Sequence, residues 1–342
     1  MKAIIFDQHG APDVLHYRDV PTPTIGPNEV LVRVKACALN HLDLWVRRGL
    51  PGVPIPLPHI PGSDVAGEIA EVGADVTNVR PGQKVVLAPG VTCGKCTACL
   101  SGQDNRCRSF TNLGYLIDGV CAEFVKAPAI NCVPYPENLS FAEAASIPLV
   151  FQTAWHMLLT RAELQPGENV LILGAGSGVG SAAIQIAKFF GAGVIATASS
   201  EEKLAKAKEL GADHLINHKT QKIREEVRRI TAKRGVDVVF EHVGTATWDD
   251  SIASLAYAGR LVTCGATTGY DAKLDLRLLF AKQLSLLGSY MGTKSELHTV
   301  MRLVASGRLK PVLDRTFPLP EAAAAHSYLE SGEQFGKVVL TL

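Results

Sequence analysis

The chain has almost no net charge: 34 Lys and Arg stand against 33 Asp and Glu in 342 residues. That balance argues against a nucleic-acid surface or a polybasic membrane anchor. Long apolar runs are missing too. The N-terminal MKAIIFDQHG reads as a strand, with no stretch long enough for a signal sequence. The most apolar later stretch, Val170 to Ala187, is interrupted at Gly174, Gly176, Ser177, Gly178 and Gly180, which does not suit a membrane span. Neither a membrane nor a nucleic-acid partner is expected, and a cytoplasmic location is. Internal repeats are absent, the only low-complexity tract is Ala322–Ala325, and no Ser-His-Asp arrangement is evident.

What is present points to an enzyme of two domains, because this length exceeds one typical core. Roughly the first 150 residues hold short apolar runs (Val30–Val34, Val65–Val72, Lys84–Ala88) separated by turn signals such as Arg80-Pro81-Gly82, the texture of a β-rich domain. After Leu139 the pattern changes. Helical spacing over Phe141–Ser146 and Thr153–Thr160 leads into alternation. Strands are expected at Val170–Leu173, Gly193–Thr197, His214–Asn217, Val236–Glu241, Gly259–Cys264 and Leu284–Gly288. The helices between them are Ser181–Phe190, Glu201–Leu210, Lys222–Thr231 and Trp248–Ala256. Such alternation implies a parallel sheet covered on both faces. From about Met291 two helices and the terminal strand Lys337–Leu342 follow. A single strand cannot stand alone, so the tail is expected to fold back onto the first domain.

Gly174-Ala-Gly176-Ser177-Gly178-Val179-Gly180 ends one of these strands and opens a helix. Glycines there allow a tight turn and let backbone N–H groups approach a pyrophosphate at the helix N-terminus. The next strand selects the dinucleotide. A carboxylate at its end would bind ribose hydroxyls and repel a 2′-phosphate, but this chain has Ala198, Ser199 and Ser200, with Lys203 opening the helix beyond. Hydroxyls and a cation favour NADPH over NADH, and Glu201 and Glu202 suit the helix dipole.

Cys93, Cys96, Cys99 and Cys107 lie within fifteen residues of one another, with Gly94, Gly102 and Asn105 to turn the loop. Four thiolates close a tetrahedral zinc site, so one structural Zn²⁺ per chain is expected. Cys37, Cys121, Cys132 and Cys264 read as buried thiols.

With these motifs the chain resembles the medium-chain dehydrogenase/reductase superfamily of zinc alcohol dehydrogenases and quinone oxidoreductases. The resemblance rests on the glycine loop, the cysteine lobe, Thr153-Ala154-Trp155, Pro61-Gly62-Ser63-Asp64-Val65-Ala66-Gly67 and Phe335-Gly336-Lys337-Val338-Val339-Leu340, which span nearly the whole length. It implies an α/β fold. A GroES-like β-rich catalytic domain comprises residues 1–150 and 291–342, with its zinc lobe at about 90–110. A Rossmann doubly wound parallel-sheet domain comprises residues 151–290.

In that family the catalytic metal is held by a Cys, a His and a Cys. Their aligned positions here are Asn40, Ser63 and Leu149, which cannot replace two thiolates and an imidazole. No catalytic metal is expected. The resemblance assigns Asn40 to the nicotinamide end of the cofactor and Trp45 to the substrate pocket, though Trp45 equally suits core packing. It places Asp64 as the acid behind the ligand positions. His41, Thr153 and Lys337 fall near the cofactor, and His218 near its adenosine phosphate. His242-Val243-Gly244 and Cys264-Gly265-Ala266 end two strands at the carboxyl edge where ligands bind. A rearranged metal centre drawing on His41, Asp43, His59 and Asp64 is the competing arrangement; the plainer role for Asp43 is to anchor a turn. The favoured activity is hydride transfer from NADPH to a quinone or enone. An alcohol dehydrogenase with an unusual metal and a non-catalytic NADPH-binding protein are the alternatives. Leu284–Ser289 resembles the family's edge strand that pairs across a two-fold axis, which implies a homodimer or homotetramer.

Overall fold

β-branched and small apolar residues dominate Glu29–Ala38 (β1) and Asp64–Val72 (β2), and both form strands of one seven-stranded sheet. They pair antiparallel, with Ala38 opposite Asp64. On the other side of β1 lies the strand Lys337–Thr341, also antiparallel, with Val339 opposite Ala38. A computed structural model describes residues 1–342 as two units, and this sheet belongs to the first, Met1–Leu149 with Thr293–Leu342. Its core is the apolar side of the sheet, with Val32, Val65, Val85 and Val338 fully enclosed.

β1 runs into an eight-residue helix, α1 (His41–Arg48), that the sequence reading leaves as a turn. Asp43 starts it: its Oδ2 accepts from the Asn40 N–H at 2.7 Å, and its Oδ1 accepts from Gly62 N–H at 2.9 Å. The carboxylate thus ties the helix to the loop before β2. Gly62 has φ +100°, and a Cβ there would lie 2.6 Å from the Cys121 sulfur.

The second unit, Val150–Gly292, is the expected doubly wound sheet. Its strands are β3 (Asn169–Ile172), β4 (Gly193–Ala198), β5 (His214–Asn217), β6 (Val236–Glu241), β7 (Leu255–Thr263) and β8 (Ser285–Gly288). They are parallel throughout, in the order β5-β4-β3-β6-β7-β8. The connecting helices are α2 (Gly178–Phe189), α3 (Glu201–Glu209), α4 (Ile223–Ile230), α5 (Trp248–Ser254) and α6 (Leu276–Ala281). The strand order reverses between β3 and β4 on one side and β6 on the other, where such sheets bind ligands.

Some boundaries differ from expectation. The helix expected over Trp248–Ala256 stops at Ser254, and β7 begins at Leu255 rather than Gly259, because Leu255 and Ala256 are buried against the sheet. The register slips once there, between Val236 and Val238, and Ala258 takes φ +58°. The helix expected at Thr153 begins at Pro148 and widens to π geometry over His156–Arg161. α6 and the strand Leu313–Pro318 have no counterpart in the sequence reading. No helix is long and apolar enough to cross a membrane.

Candidate functional site

The glycine loop leaves β3 with Gly174 at φ +60°, where a Cβ would crowd the His242 ring at 3.1 Å. Gly180 has even less room, since a Cβ would sit 2.3 Å from the Gly174 carbonyl oxygen. Ser177 caps α2: its Oγ accepts from Gly180 N–H at 2.9 Å and donates to Gly174 O at 2.8 Å. Gly178 and Val179 are the first two residues of α2, and their N–H groups have no acceptor within the helix. Two free donors at the positive end of a twelve-residue helix fit a pyrophosphate.

Glu241, which no sequence motif marks, supports this cradle. Its side chain is fully buried at the end of β6. One carboxylate oxygen accepts from Val243 and Gly244 N–H at 2.5 and 3.0 Å, and the other from the Thr247 and Ser251 hydroxyls, each at 2.8 Å. That fixes the turn carrying His242 and Val243. His242 lies 2.9 Å from Leu173 O through Nε2, and burial holds its imidazole below the ordinary range. Gly265 runs beside it, with room for a Cβ only 3.1 Å from His242 O. The signal available in the sequence was an acid at the carboxyl end of the strand, after the apolar run Val238-Val239-Phe240.

At the end of β4, Ser200 caps α3, its Oγ accepting from Lys203 N–H at 3.3 Å, and Ser199 precedes it half-buried. The two glutamates that follow are engaged elsewhere. Glu201 accepts from the Asn217 amide at 2.7 Å, and Glu202 pairs with Lys206 at 2.9 Å. His218 donates its backbone N–H to Ala198 O at 3.1 Å, beside the same strand end. Partial desolvation, then Lys219 and Lys203, keep its imidazole below the ordinary range. Lys203 and Lys219 therefore gather with His218 at this strand end, and the two ammonium groups are of a kind that could hold a phosphate.

In the first unit three residues far apart in sequence form one buried polar group. Asn40 is 6% exposed, Asp64 0% and Lys337 3%. The Lys337 ammonium donates to Asn40 Oδ1 at 2.5 Å and to Asp64 Oδ2 at 3.0 Å. Asn40 Nδ2 donates to the same Asp64 oxygen at 3.0 Å, and Leu149 N–H donates to the other at 2.8 Å. Ser63, fully buried, donates to Leu113 O at 2.7 Å. These positions do not fit a catalytic zinc. Two of them offer an amide and an alkyl chain, the serine faces backbone, and the nearby carboxylate is already balanced by an ammonium. Nor do the competing residues assemble a metal centre. Asp43 holds the turn, and burial pushes its carboxyl up to about 6. His59 is buried edge-on against Phe6, with centroids 5.5 Å apart, and burial lowers its imidazole. His41 and Trp45 are both half-buried on α1, their rings 6.4 Å apart. Thr153 belongs to the second unit, where its hydroxyl faces Met291 Sδ at 3.9 Å.

The cysteine lobe does fit zinc. All four sulfurs lie within 4.8 Å of one another, the only such grouping of His, Cys, Asp or Glu ligand atoms. The Cys96–Cys99 and Cys93–Cys107 separations are 3.5 Å, and Cys93–Cys99 is 3.9 Å. Tetrahedral Zn–S bonds require about 3.8 Å. The backbone N–H groups of Lys95 and Cys96, then the Cys107 side chain, lower the Cys93 thiol to about 6. The lobe is anchored from Asp104, which accepts from Lys294 Nζ at 2.9 Å and from Lys294 N–H at 3.2 Å.

A Rossmann unit with a glycine cradle, together with a GroES-like unit, defines an NAD(P)-dependent oxidoreductase. Residues 26–137 match the alcohol dehydrogenase GroES-like domain, and residues 178–306 match the zinc-binding dehydrogenase family. The chain belongs to the medium-chain dehydrogenase/reductase superfamily. It is 47% identical to an NAD-dependent alcohol dehydrogenase of known crystal structure, with TM-score 0.97 and all of both chains covered. Acryloyl-coenzyme A reductase of Metallosphaera sedula is 32% identical over 100% of both chains. Quinone oxidoreductase of Rattus norvegicus is 31% identical, covering 100% of this chain and 98% of that one.

Proposed function

We propose that this oxidoreductase is an NADPH-dependent reductase of quinones or activated alkenes that works without a catalytic metal. The observation carrying the reading is the Asn40–Asp64–Lys337 group, which puts a neutralised, hydrogen-bonded cluster beside the family's metal-ligand positions. Without a Lewis acid, a plain ketone is a poor acceptor, because its developing alkoxide needs strong stabilisation. A conjugated acceptor spreads that charge, so a few hydrogen bonds suffice. When bound, the dinucleotide supplies the hydride.

The chain's own residues bind and orient. Gly174 to Gly180, His242, Val243 and Gly265 hold the pyrophosphate region, while Ser199, Ser200, Lys203 and His218 take the 2′-phosphate. Asn40, His41, Thr153 and Lys337 serve the remainder of the cofactor and the reacting end. Trp45 stacks on a flat substrate, and Asp64 fixes Asn40. The lobe zinc is structural. The similar quinone oxidoreductase and acryloyl-coenzyme A reductase favour this reading; the similar alcohol dehydrogenase favours a second, alcohol oxidation with a metal.

A metal count per polypeptide, run beside NADPH and NADH oxidation with quinones, enones and aldehydes, separates the two. Enone or quinone turnover that survives a chelator sparing the lobe supports the proposal. A second metal equivalent required for alcohol oxidation overturns it. We also propose a cytoplasmic homodimer or homotetramer formed through the β8 edge, near which Leu276 and Phe280 of α6 are exposed. A monomer in sedimentation at micromolar concentration would contradict that.

A further inference from the structure

β4 and β5 end side by side. Ala198, the last residue of β4, is the register partner of Asn217, the last of β5. Just beyond them, His218 N–H donates to Ala198 O at 3.1 Å. The strand end that meets the adenosine ribose in such sheets is therefore flanked by Asn217. That side chain is buried, and both ends of its amide are engaged. Its Oδ1 accepts from Lys219 N–H at 3.2 Å, closing an Asx turn that carries His218 and Lys219 past the strand. A backbone N–H can only meet the amide oxygen, so the NH2 group must face the other way. There it donates to Glu201 Oε1 at 2.7 Å.

Glu201 is the first residue of α3, one position after the capping Ser200. Its charge suits the helix dipole, which accounts for an acid at that position but not for where the carboxylate points. The side chain is exposed, so the bond from Asn217 rather than packing sets its direction. Its neighbour Glu202 is turned along the helix to Lys206. A carboxylate free at the end of this strand accepts from ribose hydroxyls and repels a 2′-phosphate. Lys203 and Lys219 act in the opposite sense, and a loose Glu201 would also compete for them. We propose that Asn217 sets the dinucleotide preference by holding Glu201 against the end of β5, away from the ribose 2′ position, so that the nearby ammonium groups meet the phosphate unopposed. Asn217 is a positioning residue, acting through Glu201 and not on the cofactor itself. This rests on the reading of NADPH as the coenzyme. It makes Glu201 a latent selector for NADH, present in the chain but turned aside.

The test is fluorescence titration of NADPH and NADH with the full-length protein at low ionic strength. Asn217→Ala removes the amide. Asn217→Ser keeps a hydroxyl of the kind that closes such turns while removing the amide donor to Glu201. Each is made alone and together with Glu201→Gln, which takes the charge away. A carboxylate released near a dianion at the protein surface should weaken NADPH by about tenfold. One new bond to a ribose hydroxyl should tighten NADH by about threefold. With Glu201→Gln added, NADPH affinity should return to within about threefold of wild type, and the NADH gain should vanish. Glu201→Gln alone should change neither by more than about twofold, because a glutamine oxygen still accepts from Asn217. If both dinucleotides weaken alike in both variants and Glu201→Gln restores neither, Asn217 only holds the turn and the proposal is overturned. Wild type that prefers NADH overturns the NADPH reading. A fall in the NADPH-to-NADH affinity ratio on losing Asn217, reverted by Glu201→Gln, would in that case still support the positioning role.

Discussion

Replacing Lys203 with alanine removes one of three basic groups gathered at the end of β4, the others being His218 and Lys219. A charge-assisted hydrogen bond to a phosphate dianion contributes about 1.5–3 kcal/mol, or roughly 10- to 150-fold in affinity. Lys203 is half-buried on the first turn of α3, so water screens part of the attraction. The expected loss for NADPH is accordingly in the lower part of that range, about 10- to 30-fold. NADH has no 2′-phosphate, and its affinity should change by no more than about twofold. Fluorescence titration of both dinucleotides at low and high ionic strength checks this. The selective loss should shrink as salt rises, because screening already weakens the same contact in the wild type. Equal losses for the two dinucleotides, or none for NADPH, would refute the placement of the phosphate at β4.

Three further outcomes are expected. Glu241→Ala leaves two backbone N–H groups, one buried and one partly buried, and two hydroxyls without their acceptor and should lower stability by about 2–5 kcal/mol, whereas Glu241→Gln keeps one acceptor oxygen and should lose only about 1–2 kcal/mol. Urea unfolding distinguishes them, and equal effects would count against the hydrogen-bond account. Burial raises the Asp43 carboxyl from 3.8 to about 6, so between those values the native state holds a proton that the unfolded chain has released. Stability from this group therefore declines as pH rises through that window, and Asp43→Asn should flatten the dependence of the urea midpoint on pH there. Cys99→Ser removes a sulfur that lies 3.5 Å from Cys96 and 3.9 Å from Cys93. Zinc released to a chromophoric chelator should drop from about one per chain to near zero, and unchanged content would exclude the four-thiolate site.

Much of the second unit could be read from the chain because its signals are local. Strand–helix alternation and the glycine loop need only about thirty residues each to declare themselves. The cysteine lobe is equally local. α1 escaped because eight residues, with Asp43 turned inward and Arg47 fully buried, show no clean apolar stripe, although Asn40 and Asp43 stood at helix-start spacing. The onset of β7 was misplaced because Leu255 and Ala256 suit either a helix end or a strand, and burial against β6 decides between them. The Asn40–Asp64–Lys337 group was the least legible feature. Each residue stands out in the sequence separately, but Lys337 meets Asn40 across 297 positions, and strand pairing over such a distance leaves no periodic trace.

The order of the strands has a consequence for biosynthesis. Lys337–Thr341 occupies an interior place in the first unit's sheet, yet it is made after the whole second unit. Until it arrives, β1 has an unsealed flank and the Asp64 carboxylate lacks its counter-charge. The nascent catalytic half must therefore wait, while the Rossmann half, contiguous in the chain, is free to form as it leaves the ribosome. A chain released a few residues early would be left with an open sheet edge and an acid without its counter-charge, the kind of species that chaperones hold and proteases clear.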